Sequence, residues 1–253
     1  MEKWIESIAI ITGGNSGNGF GIMKKFAEAG ITVVSLDIKT ETIEKFRLEN
    51  KSLKVHSLVC DVTDDTAVKK SFKWVEENFG GVDILVNNAG LVRNRQILNL
   101  DQPMSDLAFN IDLNFTAYVR CARMAFESMQ ARNSYGYIIN INSIFGHSVP
   151  MASGIMFNVY PGTKYAITAT TEIIRQELAT MNNRKVRVAS VSPGLVDTNF
   201  FIAAEVPQGV KNSLFMSPHL TPSDIAETVA ILLTMPFHIS INELTVRATG
   251  TPF

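Results

Sequence analysis

The chain has 253 residues, of which 46% are hydrophobic and 19% are charged. That hydrophobic content excludes an intrinsically disordered chain, which lacks the apolar side chains needed for a buried core. The 23 Lys and Arg residues nearly balance the 24 Asp and Glu residues, which argues against a nucleic-acid-binding protein, since such a protein needs a concentrated basic surface. The length allows one large domain or two small ones.

The termini and the cysteines carry no targeting or metal-binding signal. The residues Met1–Ser7 include two acids before a short apolar run, unlike a signal peptide. No stretch approaches the roughly 18 apolar residues of a membrane span. Cys60 and Cys121 are far apart and lie in apolar surroundings, so we expect two reduced thiols rather than a disulfide or a metal site. The expected compartment is the cytoplasm.

Short β-branched segments alternate with segments of helical period along the chain. Seven segments predict strands: Ser7–Thr12, Thr32–Asp37, Lys54–Asp61, Ile84–Asn87, Tyr137–Ile141, Val186–Pro193 and Glu243–Arg247. Five segments predict helices: Phe20–Ala29, Thr66–Phe79, Asn110–Gln130, Pro161–Met181 and Ser223–Thr234. This alternation predicts an α/β fold with one doubly wound parallel sheet of about seven strands and helices on both faces. No linker divides the chain, so residues 1–253 are predicted to form a single domain.

A glycine-rich segment, Thr12–Gly19, lies between the first strand and the first helix. In this position backbone N–H groups approach a pyrophosphate at the positive end of a helix. An ordinary glycine-rich turn is the alternative. The residues predicted to contact a nucleotide cofactor here are Gly13, Asn15, Ser16, Gly17, Asn18 and Gly19.

Asp37 ends the second strand, 18 residues after Gly19. A carboxylate there accepts hydrogen bonds from the ribose hydroxyls of an adenosine and repels a 2′-phosphate. The sequence therefore favours NAD over NADP as the cofactor. Lys39, two positions further on, keeps NADP open as the alternative, and a merely solvated acid is a second alternative.

Three polar groups follow strands or open a helix where a parallel sheet binds its ligands. Tyr160 and Lys164 are four residues apart and share a helix face, so the ammonium is expected to favour the anionic phenol. Ser143 and the turn Asn87–Gly90 each follow a strand. A surface Tyr–Lys pair and a capping serine are the simpler interpretations of the same residues.

Taken together, these motifs resemble the short-chain dehydrogenase/reductase family. The resemblance is carried in order by Thr12–Gly19, Asn87–Gly90, Ser143, Tyr160-x-x-x-Lys164 and Pro193-Gly194. The segments 136–147 and 163–178 are similar to the dehydrogenase/reductase family member 11 branch, which includes insect farnesol dehydrogenases. The resemblance implies a Rossmann-type fold and hydride transfer without a metal.

The resemblance also implies residue roles. Tyr160 is the expected proton donor or acceptor, Ser143 holds the substrate oxygen, and Lys164 lowers the pKa of the tyrosine and binds the nicotinamide ribose. Asn114 matches an asparagine that orders a water, with Asn110 as the local competitor. The further matched cofactor positions are Asp61, Val62, Asn87, Ala89, Gly90, Pro193, Gly194, Val196 and Thr198, together with Tyr160 and Lys164.

Large apolar residues flank the expected catalytic tyrosine and recur in a segment around 195–220, which forms a substrate lid in this family. The predicted substrate contacts are Phe145, His147, Met151, Phe157, Phe200 and Phe201. They favour NAD-dependent oxidation of a lipophilic alcohol, such as a terpenoid or allylic alcohol. The alternatives are an NADP-dependent carbonyl reductase for steroids or quinones and a nucleotide-binding regulatory protein without turnover. Relatives assemble through the two long helices, which implies a homodimer or homotetramer.

Overall fold

The structure is a computed structural model that describes residues 1–149, 155–200 and 204–251. Seven strands form one parallel sheet in the order β3-β2-β1-β4-β5-β6-β7. The strands are β1 (Ile8–Thr12), β2 (Thr32–Asp37), β3 (Val55–Val59), β4 (Ile84–Asn87), β5 (Gly136–Ile141), β6 (Val186–Pro193) and β7 (Glu243–Val246). The α/β fold and the doubly wound Rossmann-type sheet expected from the sequence are confirmed.

The helices described in the structure cover both faces of this sheet. They are α1 (Gly17–Glu28), α2 (Glu41–Glu49), α3 (Asp65–Phe79), α4 (Met104–Ile111), α5 (Ala117–Ala131), α6 (Tyr160–Thr180), α7 (Gln208–Phe215) and α8 (Pro222–Thr234). The strand order changes direction between β1 and β4, which are direct neighbours. A crevice opens at such a switch point beyond the carboxyl ends of the strands.

The core consists of two apolar layers, one on each side of the sheet. Successive residues of β1 point to opposite faces, so Ile10 packs in one layer and Ile11 in the other. Helices α1 and α8 cover the Ile11 side, and α3 and α5 cover the Ile10 side. Burying one such side chain contributes roughly 1.5–3 kcal/mol. The continuous apolar runs of the strands follow from this burial on both faces.

Three helical features differ from the prediction. Helices α2 and α7 lie in segments for which no helix was predicted. The single helix predicted over Asn110–Gln130 is instead α4, one π-helical turn at Asp112–Thr116, and α5. The π-turn inserts an extra residue into the helical ladder, which helical periodicity alone does not signal.

Two further expectations can be compared with the structure. Cys60 and Cys121 are both buried free thiols, as expected. Among the described residues, no helix is both long enough and apolar enough to cross a membrane.

Candidate active site

A cavity of about 910 Å³ opens at the carboxyl ends of the central strands. Most of the predicted site residues line it: Gly13, Asn15, Ser16, Gly17, Asn18, Asp37, Asp61, Val62, Ala89, Gly90, Ser143, Phe145, Phe157, Tyr160, Lys164, Pro193, Gly194, Val196, Thr198 and Phe200. Met151 and Phe201 lie outside the described residues. The side chains or backbones of Gly19, Asn87, Asn114 and His147 do not reach the cavity wall.

The glycine loop is folded too tightly for side chains at two positions. Gly13 has φ +68, a left-handed conformation that favours glycine, and a Cβ there would lie 2.9 Å from Ala89 Cα. A Cβ at Gly19 would lie 2.2 Å from the carbonyl oxygen of Gly13. Gly19 therefore allows the loop to close on itself, although it does not line the cavity.

Hydrogen bonds from Asn88 connect this loop to the end of β4. Its Nδ2 donates hydrogen bonds to the carbonyl oxygens of Thr12 at 2.9 Å and Gly13 at 3.1 Å. The Thr12 hydroxyl in turn accepts from the backbone N–H groups of Asn88 and Ala89. Within the Asn87–Gly90 turn the sequence predicted Asn87, Ala89 and Gly90 as cofactor contacts; Ala89 and Gly90 line the cavity, but Asn88 lines it in place of Asn87.

Asp37 is held at the cavity wall by backbone donors. Its Oδ2 accepts from Asn15 N at 3.0 Å, and its Oδ1 accepts from Lys39 N at 3.1 Å. The Asn15 side chain turns away from the carboxylate, and its Oδ1 accepts from Thr42 N and Ile43 N at the start of α2. Asn15 thus joins the glycine loop, β2 and α2, and it fixes the direction of the carboxylate.

The side chains of three other predicted site residues lie away from the cavity, namely Asn87, His147 and Asn114. Asn87 Nδ2 donates to the carbonyl of Tyr118 and to Asn140 Oδ1, each at 3.0 Å. Asn87 is thus buried under the sheet edge because neighbouring strand residues point to opposite faces. His147 Nε2 lies 2.9 Å from Ser192 Oγ and 3.2 Å from Glu243 Oε1, so this ring faces β6 and β7.

Asn114 sits in the π-helical turn and is fully buried. Its Oδ1 accepts from Leu91 N at 2.9 Å, and its Nδ2 donates to Leu91 O at 2.7 Å. Leu91 lines the cavity, so the side chain of Asn114 positions a wall residue. The predicted contact of Asn114 with an ordered water remains a prediction.

Tyr160 and Lys164 open helix α6 and lie together in the cavity wall. The Lys164 ammonium is 5.6 Å from the centroid of the Tyr160 ring, and its Nζ donates to the carbonyl oxygen of Ile141 at 2.8 Å. Ser143 lies two residues after β5, and a side-chain hydrogen bond between Ser143 and the phenol favours the anionic form of Tyr160. Ser143 Oγ also accepts from Phe145 N at 3.1 Å, so Ser143 is a cap as well as a partner of the phenol.

Burial shifts the proton affinities of this pair in opposite directions. Desolvation raises the pKa of Tyr160 to about 12, and the hydrogen bond from Ser143 opposes that rise. Desolvation lowers the pKa of Lys164 to about 7. The expected fall of the tyrosine pKa beside the lysine is therefore not seen in the protein alone, because desolvation outweighs the lowering by the Ser143 hydrogen bond.

One end of the cavity is strongly apolar. The ring of Phe145 lies 4.5 Å from that of Phe157, and the ring of Phe200 lies 5.6 Å from that of Tyr160, measured between centroids. The backbone of Arg95 pairs with that of Phe157, and Arg95 Nη2 lies 2.5 Å from Glu205 Oε2. Apolar wall residues that were not predicted from the sequence include Leu91, Phe109, Leu113 and Ile155. They belong to no motif, and their only signal is hydrophobicity near a motif.

Comparison with known proteins identifies the family. A sequence model described as short chain dehydrogenase matches residues 7–207. The chain belongs to the short-chain dehydrogenase family. It is 36% identical to farnesol dehydrogenase of Aedes aegypti over 259 residues, with both chains fully covered. It is 35% identical to dehydrogenase/reductase SDR family member 11 of Mus musculus over 256 residues, covering 98% of this chain and 96% of the relative.

A solved dehydrogenase structure has the same fold. The closed form of a serine dehydrogenase complexed with NADP⁺ superposes with a TM-score of 0.86 at 28% identity, covering 97% of this chain and 96% of that one. The family and branch that the sequence motifs resemble are thus confirmed. The protein is an NAD(P)-dependent oxidoreductase.

Proposed function

We propose that this short-chain dehydrogenase oxidises a hydrophobic secondary or allylic alcohol to the carbonyl compound and that it uses NAD. The observation that carries the proposal is the position of Tyr160. Its phenol meets Lys164 and Ser143 on one side, and it packs against Phe145 and Phe200 on the other. A proton-transfer group thus adjoins an apolar pocket.

The glycine loop and Asp37 fit the adenosine half of a nicotinamide dinucleotide. Gly13 has no side chain, so its backbone is bare at the cavity wall, and Gly19 lets the loop close behind it. The Asn18 Oδ1 at the same wall is buried without a hydrogen-bond partner among the described residues. Asp37 and the loop would hold the ribose and the pyrophosphate, and Lys164 would hold the second ribose.

In the oxidation direction, Tyr160 acts as a phenolate that takes the proton of the substrate hydroxyl. Ser143 Oγ hydrogen-bonds the same substrate oxygen and keeps it near the phenol as its charge changes. The Lys164 ammonium stabilises the phenolate, because the attraction between opposite charges is strong in a pocket that excludes water. When bound, the oxidised nicotinamide supplies the acceptor for the hydride that leaves the carbinol carbon.

The preference for NAD rests on the Asp37 carboxylate. Both oxygens are fixed by backbone N–H groups, so the negative charge stays where a 2′-phosphate would lie. Lys39 is the competing feature, and the serine dehydrogenase structure that resembles this chain holds NADP⁺. An NADP-dependent carbonyl reductase for steroids or quinones is therefore the alternative function.

The substrate class rests on the apolar end of the cavity and on the relative from Aedes aegypti, a farnesol dehydrogenase. The proposed lid around 195–220 contributes Leu195, Phe200 and Leu214 to the wall. These side chains favour a long uncharged chain over a small polar alcohol. Terpenoid alcohols are the first class to test.

We also expect the protein to form a homodimer or homotetramer through the long helices. Tyr165 and Ile173 on α6 are exposed to 43% and 51%. Exposed apolar groups on a long helix are suited to packing against a second copy. Sedimentation at micromolar concentration tests this expectation, and a monomer there would contradict it.

The test of the proposed function offers the purified chain NAD⁺ or NADP⁺ with terpenoid, steroid and short aliphatic alcohols, and it follows the absorbance of the reduced nicotinamide. We expect turnover with NAD⁺ and long apolar alcohols, and a shift toward NADP⁺ in Asp37→Ser, which removes the repelling charge. A wild-type preference for NADP⁺ would contradict the Asp37 argument. Absence of turnover with every alcohol and ketone would contradict the function itself.

A further inference from the structure

A second phenol, Tyr118, lies behind Lys164 and belongs to no motif of the sequence. It is near the start of α5, directly after the π-helical turn, and is 3% exposed. Its Oη donates to the carbonyl oxygen of Ile141 at 3.1 Å. Lys164 Nζ donates to the same oxygen at 2.8 Å. The two donors together occupy both lone pairs of one carbonyl.

The face of the Tyr118 ring also adjoins the ammonium. Lys164 Nζ is 5.2 Å from the centroid of that ring, within the range of a cation–π interaction and closer than its 5.6 Å to the Tyr160 ring. No carboxylate of the described residues forms an ion pair with Lys164. One carbonyl oxygen and two ring faces are thus the groups in the described part of the chain that favour its positive charge.

Tyr118 is itself held firmly and stays neutral. Asn87 Nδ2 donates to its backbone carbonyl at 3.0 Å, which gives the buried Asn87 a place in the same arrangement. Burial raises the pKa of Tyr118 far above its usual range. The phenol is therefore a permanent hydrogen-bond donor and does not compete with Tyr160 as a base.

We propose that Tyr118 is a positioning residue for Lys164: the face of the Tyr118 ring keeps the ammonium charged and fixed beneath Tyr160. The role rests on the proposed function, since it serves the proton transfer at Tyr160. The titratable groups that face this cluster in the described residues are Tyr160 from α6, and Tyr118 and Cys121 from α5. The neighbouring strand β4 and the adjacent half of β5 carry no charged side chain.

Because Lys164 is buried, the pH at which it titrates can report the contribution of Tyr118. Because the pKa of Lys164 is lowered to about 7, loss of one favourable contact changes its charge near neutral pH. Removing a cation–π partner from a desolvated ammonium is expected to lower its titration midpoint by roughly one pH unit. Tyr118→Met removes the ring and fills much of its volume, and the matched control Tyr118→Phe removes the hydroxyl alone.

The direct experiment titrates Lys164 in the full chain without cofactor. Acetic anhydride acylates only the neutral amine and reaches Lys164 through the cavity, and peptide mass spectrometry reads its rate against pH. We expect a midpoint lower by about one pH unit in Tyr118→Met and an unchanged midpoint in Tyr118→Phe. An unchanged or higher midpoint in Tyr118→Met would overturn the proposal. If Tyr118→Met does not fold, Tyr118→Leu takes its place under the same criterion.

The pH profile of turnover is the second readout. Because the ammonium is needed at Tyr160, the alkaline limb of kcat/KM should move to lower pH in Tyr118→Met, whereas a purely structural role would lower the rate equally at every pH. Lack of wild-type turnover would contradict the proposed function, and the acylation midpoints would still decide the role of Tyr118.

Discussion

Two buried cations lie at opposite edges of the sheet, and their surroundings are alike. Lys164 is at the carboxyl edge, 3% exposed, against the rings of Tyr118 and Tyr160. Arg187 is the second residue of β6, at the amino edge, 5% exposed, with its guanidinium 4.3 Å from the centroid of the Tyr137 ring. In the described part of the chain, neither cation forms an ion pair with a carboxylate.

The two cations differ in whether burial lowers the pKa far enough for the side chain to lose its proton near neutral pH. Desolvation lowers the pKa of both side chains, but it brings Lys164 to about 7, whereas Arg187 starts from a much higher value and stays charged. Arg187 Nη1 donates to Ile239 O at 2.9 Å and Pro236 O at 3.3 Å. The same kind of environment therefore gives an exchangeable proton at one edge and a permanent structural charge at the other.

The largest effect is expected at the exchangeable cation. Lys164→Met should lower turnover by about 10²–10⁴-fold, because the phenolate of Tyr160 loses its charged partner. The free energy of unfolding below pH 7 should stay the same or rise, since an unpaired buried charge has been removed. Initial rates and urea unfolding measure the two effects. Turnover near the wild-type value would remove Lys164 from the chemistry.

The matched substitution at the other edge should give the reverse result. Arg187→Met removes the side-chain donor to the Ile239 carbonyl and the second donor to the Pro236 carbonyl, which still accepts from Ile239 N, and it removes a cation–π contact. The free energy of unfolding should fall by about 2–4 kcal/mol, while turnover per folded molecule stays within about two-fold of wild type. Equal stability with a large loss of turnover would break the contrast between the two cations.

The pH dependence of stability sharpens the contrast further. The pKa of Lys164 is about 7 in the folded protein against 10.5 for an ordinary lysine, so between those values the unfolded chain binds one proton more. The free energy of unfolding therefore gains about 1.4 kcal/mol per pH unit from this group as pH rises, and the gain is absent below pH 7. The raised pKa of Tyr160 acts in the opposite direction only above pH 10.

The measurement is urea unfolding of wild type and Lys164→Met between about pH 7.5 and 9.5, where the difference between the two proteins isolates this one proton. As pH rises, the free energy of unfolding of the wild type should increase relative to that of Lys164→Met. Parallel curves would show that the folded protein carries Lys164 with an ordinary proton affinity.

The smallest effect is expected at a cation that forms an ion pair with a carboxylate and is exposed to solvent. The side chains of Arg95, whose backbone pairs with the wall residue Phe157, and of Glu205 are 30% and 55% exposed, and exposed ion pairs contribute little. Glu205→Gln should raise KM for a long alcohol by no more than about three-fold and leave kcat unchanged. Steady-state kinetics test this expectation. A fall of kcat by more than ten-fold would mean that this exposed contact positions Tyr160.

The strands and the main motifs were predictable from the sequence because their signals are local. Continuous β-branched runs gave all seven strands, with β3 ending at Val59 instead of Asp61. Helix α2 was not predicted because its only buried residue is Ile43 and its start is held by Asn15, which lies far away in the sequence. A contact made by a distant loop leaves no periodic pattern.

Side-chain directions within the motifs were less predictable. Asn87 and Asn88 are adjacent and chemically identical, but strand alternation turns one under the sheet and the other toward the glycine loop. The pKa of Tyr160 was expected to fall beside an ammonium, yet burial raises it. The extent of desolvation is a property of the packed pocket, so the spacing of Tyr160 and Lys164 did not reveal it. Tyr118 likewise meets Lys164 only through the fold.

The most direct test of the account is turnover by Tyr160→Phe. This variant keeps the ring and its packing against Phe145 and Phe200, and it removes the one oxygen that exchanges a proton with the substrate. The measurement is the rate of NAD⁺ reduction with a long allylic alcohol, together with NAD⁺ affinity by fluorescence titration. We expect turnover to fall by at least about 10³-fold and the NAD⁺ affinity to stay nearly unchanged. Turnover at the wild-type rate would contradict it.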